Sequence, residues 1–103
     1  HYAAFGVLTM PLPGARIRPE DKEQLEPWAQ HFYQACGRAF LLAYLAQAEG
    51  SPFTKDNAQQ TQVLLEVHLL EKALYELLYE LNNRPQWAEL PLRGLLSLLP
   101  PSR

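Results

Sequence analysis

The sequence predicts an all-α chain with two long helices and a short C-terminal one. Three observations carry this. Apolar residues recur at spacings of three and four over two long stretches, no stretch alternates with period two, and glycine and proline punctuate the gaps between them. With 103 residues, 48% of them hydrophobic, the chain is one small domain or part of a larger one.

The opening, His1–Phe5, reads as a helix end entering a turn through Gly6–Gly14, where Pro11, Pro13 and Gly14 cluster. A chain rarely starts with its first element already apolar, so the domain is expected to continue upstream. The first long helix is expected over residues 20–48, with Pro27 tolerated near a first turn or kinking the helix after Leu25. Leu25, Trp28, Phe32, Cys36, Ala39, Ala43 and Ala46 fall on one side, and Phe40, Leu41 and Leu42 widen the apolar arc. Burial on more than one side follows as the expectation, with Trp28 in the core and Cys36 a buried, inert thiol. Gly50 and Pro52 stop the helix.

Asp56 and Gln59 form a candidate capping box for the second long helix, expected over residues 57–82. At 100° per residue, Val63, Val67, Leu70, Leu74, Leu77, Leu78 and Leu81 share one arc, which reads as a core face. Asn82-Asn83-Arg84-Pro85 ends the helix, because proline biases the residue before it out of the α region. Trp87, Leu90 and Pro91 suggest a turn folding the tail back. Leu92, Leu95, Leu96 and Leu99 mark a short helix over residues 92–99, closed by Pro100-Pro101.

Several function classes are disfavoured. Nine Lys and Arg stand against eleven Asp and Glu, for a formal charge of −2, and no basic block supplies the phosphate contacts of a nucleic-acid surface. A single Cys36 excludes an internal disulfide framework. Too few Cys, His and paired carboxylates stand at ligand spacing for a zinc or di-metal site. Apolar runs are broken well before a bilayer-spanning length, so no membrane segment is expected, and a reduced cytoplasmic setting fits best. The glycines are scattered at positions 6, 14, 37, 50 and 94, so there is no phosphate-cradling loop. HRD-like, HGD-like, DFG-like and GxSxG segments are absent. No catalytic or cofactor-binding residue is therefore expected within this chain.

The side of the second long helix opposite its leucines carries His68, Lys72, Tyr75 and Tyr79, with Glu76 and Asn83 at its edge. Lys72, Tyr75 and Tyr79 align as one stripe. Two readings remain open. Tyrosines offer flat apolar area with a hydrogen-bonding tip, which suits a polyhydroxylated ligand. They also pack beneath a neighbouring lobe, with Lys72 paired to Glu76 and Glu80 to Arg84. His68 reads as a satisfied edge histidine, and His31 is poorly placed to activate Cys36. Trp87 fits either the core or a pocket rim.

The run Leu69-Leu70-Glu71-Lys72-Ala73-Leu74-Tyr75-Glu76-Leu77-Leu78-Tyr79-Glu80-Leu81-Asn82-Asn83-Arg84-Pro85-Gln86-Trp87, followed by Pro91-Leu92-Arg93-Gly94-Leu95-Leu96, resembles the C-terminal end of bacterial maltokinases. The same kinase domain also occurs fused behind trehalose synthase. His1-Tyr2-Ala3-Ala4 and the Trp28…Phe40-Leu41-Leu42-Ala43-Tyr44-Leu45 pattern agree, so the resemblance covers nearly all of residues 1–103. It implies the distal part of the helical C-terminal lobe of an aminoglycoside-phosphotransferase or protein-kinase-like fold. It also implies transfer of the ATP γ-phosphoryl group to the anomeric hydroxyl of maltose, in α-glucan synthesis, with ATP, Mg²⁺ and a catalytic aspartate held upstream. Lys72, Tyr75 and Tyr79 match positions assigned to sugar contact, with Glu76, Arg84 and Trp87 as rim candidates. Leu78 stands where the family often shows Arg, and residues 51–60 are variable.

The rival readings are a helical interaction module working through the Tyr75/Tyr79 face, and a kinase-like domain that binds sugar without transferring phosphate. Implied partners are maltose and the upstream kinase lobes or a fused trehalose synthase domain. The wide apolar arcs also predict self-association of the isolated chain.

Overall fold

The computed structural model describes residues 1–10, 14, 17–52 and 58–99. Among the described residues the chain is helical, with no strand. Helix α1 spans Tyr2–Thr9, a 3₁₀ turn at Pro19–Asp21 leads into α2 at Lys22–Gln47, α3 spans Ala58–Asn83, and a second 3₁₀ turn at Pro85–Trp87 leads into α4 at Glu89–Leu98.

Local chemistry sets the ends. Met10 leaves α1 in an extended conformation, φ −115° and ψ 141°, as the residue before a proline favours. The opening helix thus carries on through Gly6 to Thr9 and does not turn at Gly6. Arg18 grips Asp21 with two hydrogen bonds, Nε to Oδ2 at 2.7 Å and Nη2 to Oδ1 at 2.9 Å, which shapes the entry to α2. Pro27 lies inside α2, just past the first turn, where it removes one helical hydrogen bond, the one to the Glu23 carbonyl. Gly50 adopts φ 78° just past the end of α2, a left-handed conformation that suits glycine. The ends of α2 and α3 fall within two residues of expectation. The proposed Asp56 cap lies outside the described residues.

Arg84, at φ −145° and ψ 70° before Pro85, terminates α3. Asn82 and Asn83 each donate from Nδ2 to a carbonyl one turn back, Leu78 and Tyr79, both at 2.8 Å. Helix α4 starts at Glu89 and not at Leu92, because Pro91 falls in its first turn, where a proline needs no donor.

The core is small and built on α1. Ala4, Phe5, Leu8 and Met10 are buried with Leu90 of α4, and Ile17, Leu25, Ala29, Tyr33 and Trp87 pack around them. Arg93 ties α4 to α2 through an ion pair with Glu26, and its guanidinium lies 4.1 Å from the centre of the Phe5 ring, a cation–π distance.

Two expectations about burial fail. The leucine face of α3 is turned outward: Val63, Val67, Leu70, Leu74, Leu78 and Leu81 are exposed, and Leu77 is half-buried. On α2, Trp28 is 71% exposed and Phe32 is exposed, as is Cys36. The cause is architectural. Helix α2 packs on α1, and α3 packs on α4 and the turn before it, whereas the backbones of α2 and α3 nowhere come within 8 Å among the described residues. The radius of gyration, 16.3 Å, exceeds the roughly 13 Å of a compact chain this long.

Candidate functional site

Because α2 and α3 diverge, a cleft of about 400 Å³ opens between them. His1 and Tyr2 form one wall, Tyr33 of α2 another, Leu69, Lys72, Ala73, Glu76 and Glu80 of α3 a third, and Pro91, Gly94 and Leu98 of α4 the floor, with Arg84 at the end. Leu69, Ala73, Glu76 and Glu80 recur every three or four residues, so they share one side of α3.

Glu80 is the electrostatic centre. It is fully buried and receives three hydrogen bonds: from the Tyr2 hydroxyl to Oε1 at 3.0 Å, from Arg84 Nη2 to Oε1 at 2.7 Å, and from Arg84 Nε to Oε2 at 2.9 Å. The two-pronged contact uses the planar fork of the guanidinium. Burial, and then the hydrogen bond to Glu80, push the Tyr2 hydroxyl well above the ordinary tyrosine value. The same carboxylate raises Arg84. Further along, Lys72 pairs with Glu76, and that hydrogen bond raises its ammonium.

His1 donates from Nε2 to the Leu90 carbonyl at 2.8 Å, which places the proton on that nitrogen. Its Nδ1 is buried without a hydrogen-bond partner among the described residues. Gly94 permits this approach: a β-carbon there would sit 3.3 Å from His1 Nε2.

Of the residues singled out in the sequence, Lys72, Glu76 and Arg84 line this cleft, whereas Tyr75, Tyr79 and Trp87 are not among its lining residues. The tyrosines stand on its outer shoulder beside the cations. Lys72 Nζ lies 4.8 Å from the Tyr75 ring centre, and the Arg84 guanidinium lies 5.7 Å from that of Tyr79 and 4.4 Å from that of Trp87. Trp87 also stacks on Tyr2, with centroids 6.5 Å apart, so it backs the clamp. Lys72 and Tyr75 share a second, open depression with His68 and Glu71. His68 is exposed and lies 3.3 Å from Glu71.

Sequence reasoning overlooked Tyr2, Tyr33 and the burial of Glu80. The available signal was Ala73, a small residue flanked at three and seven residues by Glu76 and Glu80, which marks where another element approaches closely. Chemically the cleft offers the Lys72–Glu76 pair at one end and the Arg84 guanidinium, held by buried Glu80, at the other, beside the rings of His1, Tyr2 and Tyr33. Among the described residues no group of three or more His, Cys, Asp or Glu is placed to hold a metal ion. No helix of the described residues is long and apolar enough to cross a membrane. No family model matches the chain, and no solved structure matches it.

Proposed function

We propose that this chain is the distal part of the C-terminal lobe of a kinase-like enzyme that phosphorylates maltose, and that its cleft supplies part of the sugar-binding wall. The observation that carries the reading is the convergence of Lys72, Glu76 and Arg84 on one cavity of about 400 Å³, a size within the roughly 300–1,000 Å³ range of small-molecule sites. The Lys72–Glu76 pair presents a donor and an acceptor together and Arg84 adds donors beside it, which a row of sugar hydroxyls requires. Tyr75 and Tyr79, outside the cleft lining, add ring surface for a sugar that reaches past its edge.

In this reading the chain binds and orients the sugar so that its anomeric hydroxyl meets the γ-phosphate in line. Holding the acceptor in place is a large part of phosphoryl-transfer catalysis. ATP, Mg²⁺ and the base belong to upstream residues, and no step through them is assigned to this chain. The setting is the cytoplasm.

The test is titration of the chain with maltose, followed by nuclear magnetic resonance, with trehalose as the control disaccharide. Shifts confined to Lys72, Glu76, Arg84 and the neighbouring tyrosines are expected. Tyr79→Ala and Lys72→Met should each weaken maltose binding by roughly ten-fold, equivalent to about 1.4 kcal/mol of binding free energy. ATP should leave these signals unchanged. Shifts for ATP and none for maltose would defeat the assignment. The coding sequence upstream of His1 is an independent check: an HGD-type loop followed by a metal-binding aspartate supports the enzyme, and a start codon there supports a stand-alone helical module.

A further inference from the structure

The outward face of α3 has a regularity beyond being apolar. Val63, Val67, Leu70, Leu74, Leu77 and Leu81 follow spacings of four, three, four, three and four, the seam repeat by which helices pair along their length. Five of the six are exposed, from Leu70 at 40% to Leu81 at 54%. Leu64 and Leu78, both exposed, widen the seam on one flank. A neighbouring side of α3, roughly 100° around the helix from the seam, carries Ala73, Glu76 and Glu80, which line the cleft beside α4. Among the described residues the seam is thus open along about 27 Å of helix, at 1.5 Å per residue.

The charges beside the seam decide what fits it. Glu66 and Glu71 flank it on its two sides, and neither is paired with a lysine or arginine among the described residues. In a parallel pair of identical helices, Glu66 of one copy would face Glu71 of the other. In an antiparallel pair centred on the seam, Glu71 would face its own counterpart. Both arrangements set like charges across the contact, the device by which helix pairs reject a partner. Of the four glutamates of α3, Glu76 and Glu80 are paired with Lys72 and Arg84; Glu66 and Glu71 remain beside the seam, so a basic partner is favoured by charge as well as by shape.

We infer that the Val63–Leu81 seam of α3 docks a partner helix of another polypeptide, with an apolar stripe in the same spacing and lysine or arginine on its flanks. The seam is a different surface from the sugar cleft, which borders its Glu66 flank, since Ala73 and Glu80 of the cleft stand in the same column of α3 as Glu66. It gives the interaction-module reading a definite surface, and that surface is the leucine face and not the Tyr75/Tyr79 face.

The test uses the 103-residue chain and two fluorescent synthetic helices of about three heptads, identical along a leucine seam and bearing either lysine or glutamate at every flanking position. Anisotropy should show the lysine helix binding at least about ten-fold more tightly than the glutamate helix, with the difference shrinking as salt screens the flanks. The double variant Leu70→Glu, Leu74→Glu should abolish binding. Both positions are exposed, so its circular dichroism should match the parent. Equal binding of the two helices, binding of neither, or full binding by the double variant would overturn the inference. So would sedimentation showing that the chain is a dimer which the double variant converts to monomer, because the occupant would then be a second copy.

Discussion

Arg84 holds the fully buried carboxylate of Glu80 from one helical turn away, donating from Nε at 2.9 Å and from Nη2 at 2.7 Å. The Tyr2 hydroxyl completes the set at 3.0 Å, across 78 residues of sequence. The carboxylate therefore links α1 to the end of α3, and Trp87, stacked on both Tyr2 and Arg84, shields the link. Replacing Glu80 by alanine strands a half-buried hydroxyl and releases Arg84 to solvent. We expect Glu80→Ala to lower unfolding free energy by about 2 kcal/mol, measured by urea denaturation. A loss below about 0.5 kcal/mol would show that the clamp contributes little.

The clamp also predicts alkaline sensitivity. Burial and the bond to Glu80 hold the Tyr2 hydroxyl well above its ordinary value, Glu76 adds to the shift, and Arg84 opposes it. An acid whose folded value is raised keeps its proton better when folded. Its contribution is fully present below the unfolded value of about 10 and is lost as pH rises beyond it. Urea midpoints should therefore hold steady up to about pH 10 and fall progressively above it. In Tyr2→Phe the decline should be shallower, at a cost of about 1 kcal/mol near neutrality from the lost hydrogen bond. An unchanged slope would place the sensitivity elsewhere.

Two glycines of the α2 region should respond to alanine with opposite signs. A β-carbon at Gly37 or Gly50 would meet nothing within 4 Å, so backbone conformation decides. Gly37 lies within α2 at an ordinary helical φ, and Gly37→Ala should stabilise by about 0.5–1 kcal/mol by restricting the unfolded chain. Gly50 sits at φ 78°, and Gly50→Ala should destabilise by about 1 kcal/mol. Thermal unfolding of both variants checks the pair, and the same sign for both would refute the argument.

Helix ends were readable because their causes are local. Pro85 closes α3 through the conformation it imposes on Arg84, and Gly50 closes α2 by its own left-handed turn. The packed face was not readable. Leucines at 63–81 outnumber apolar residues on the other arc, so periodicity selects them for the core. Yet the Pro85–Trp87 turn sends α4 back along the Ala73–Glu80 side, where a small residue allows close approach. Pairing of Lys72 with Glu76 and of Arg84 with Glu80 was likewise local and visible at four-residue spacing. The Tyr2–Glu80 bond had no such signal, since only the tertiary fold brings α1 to α3.

The final prediction follows from how little apolar surface the fold encloses. Among the described residues Phe5, 1% exposed, stands at the centre of a core of five buried hydrophobic residues, with Leu90 fully buried against it. Leu74, by contrast, is 49% exposed on the seam. Truncating a buried phenylalanine removes its transfer energy and leaves a cavity, a cost of about 3–5 kcal/mol. Truncating a half-exposed leucine costs about 1 kcal/mol or less, because water already reaches much of it. Phe5→Ala should therefore undock α1 and abolish cooperative unfolding, while Leu74→Ala should leave the transition nearly unchanged when each is followed by circular dichroism and calorimetry. If Leu74→Ala proved as damaging as Phe5→Ala in the isolated chain, the leucine face would be buried in solution and the docking surface on α3 would already be filled.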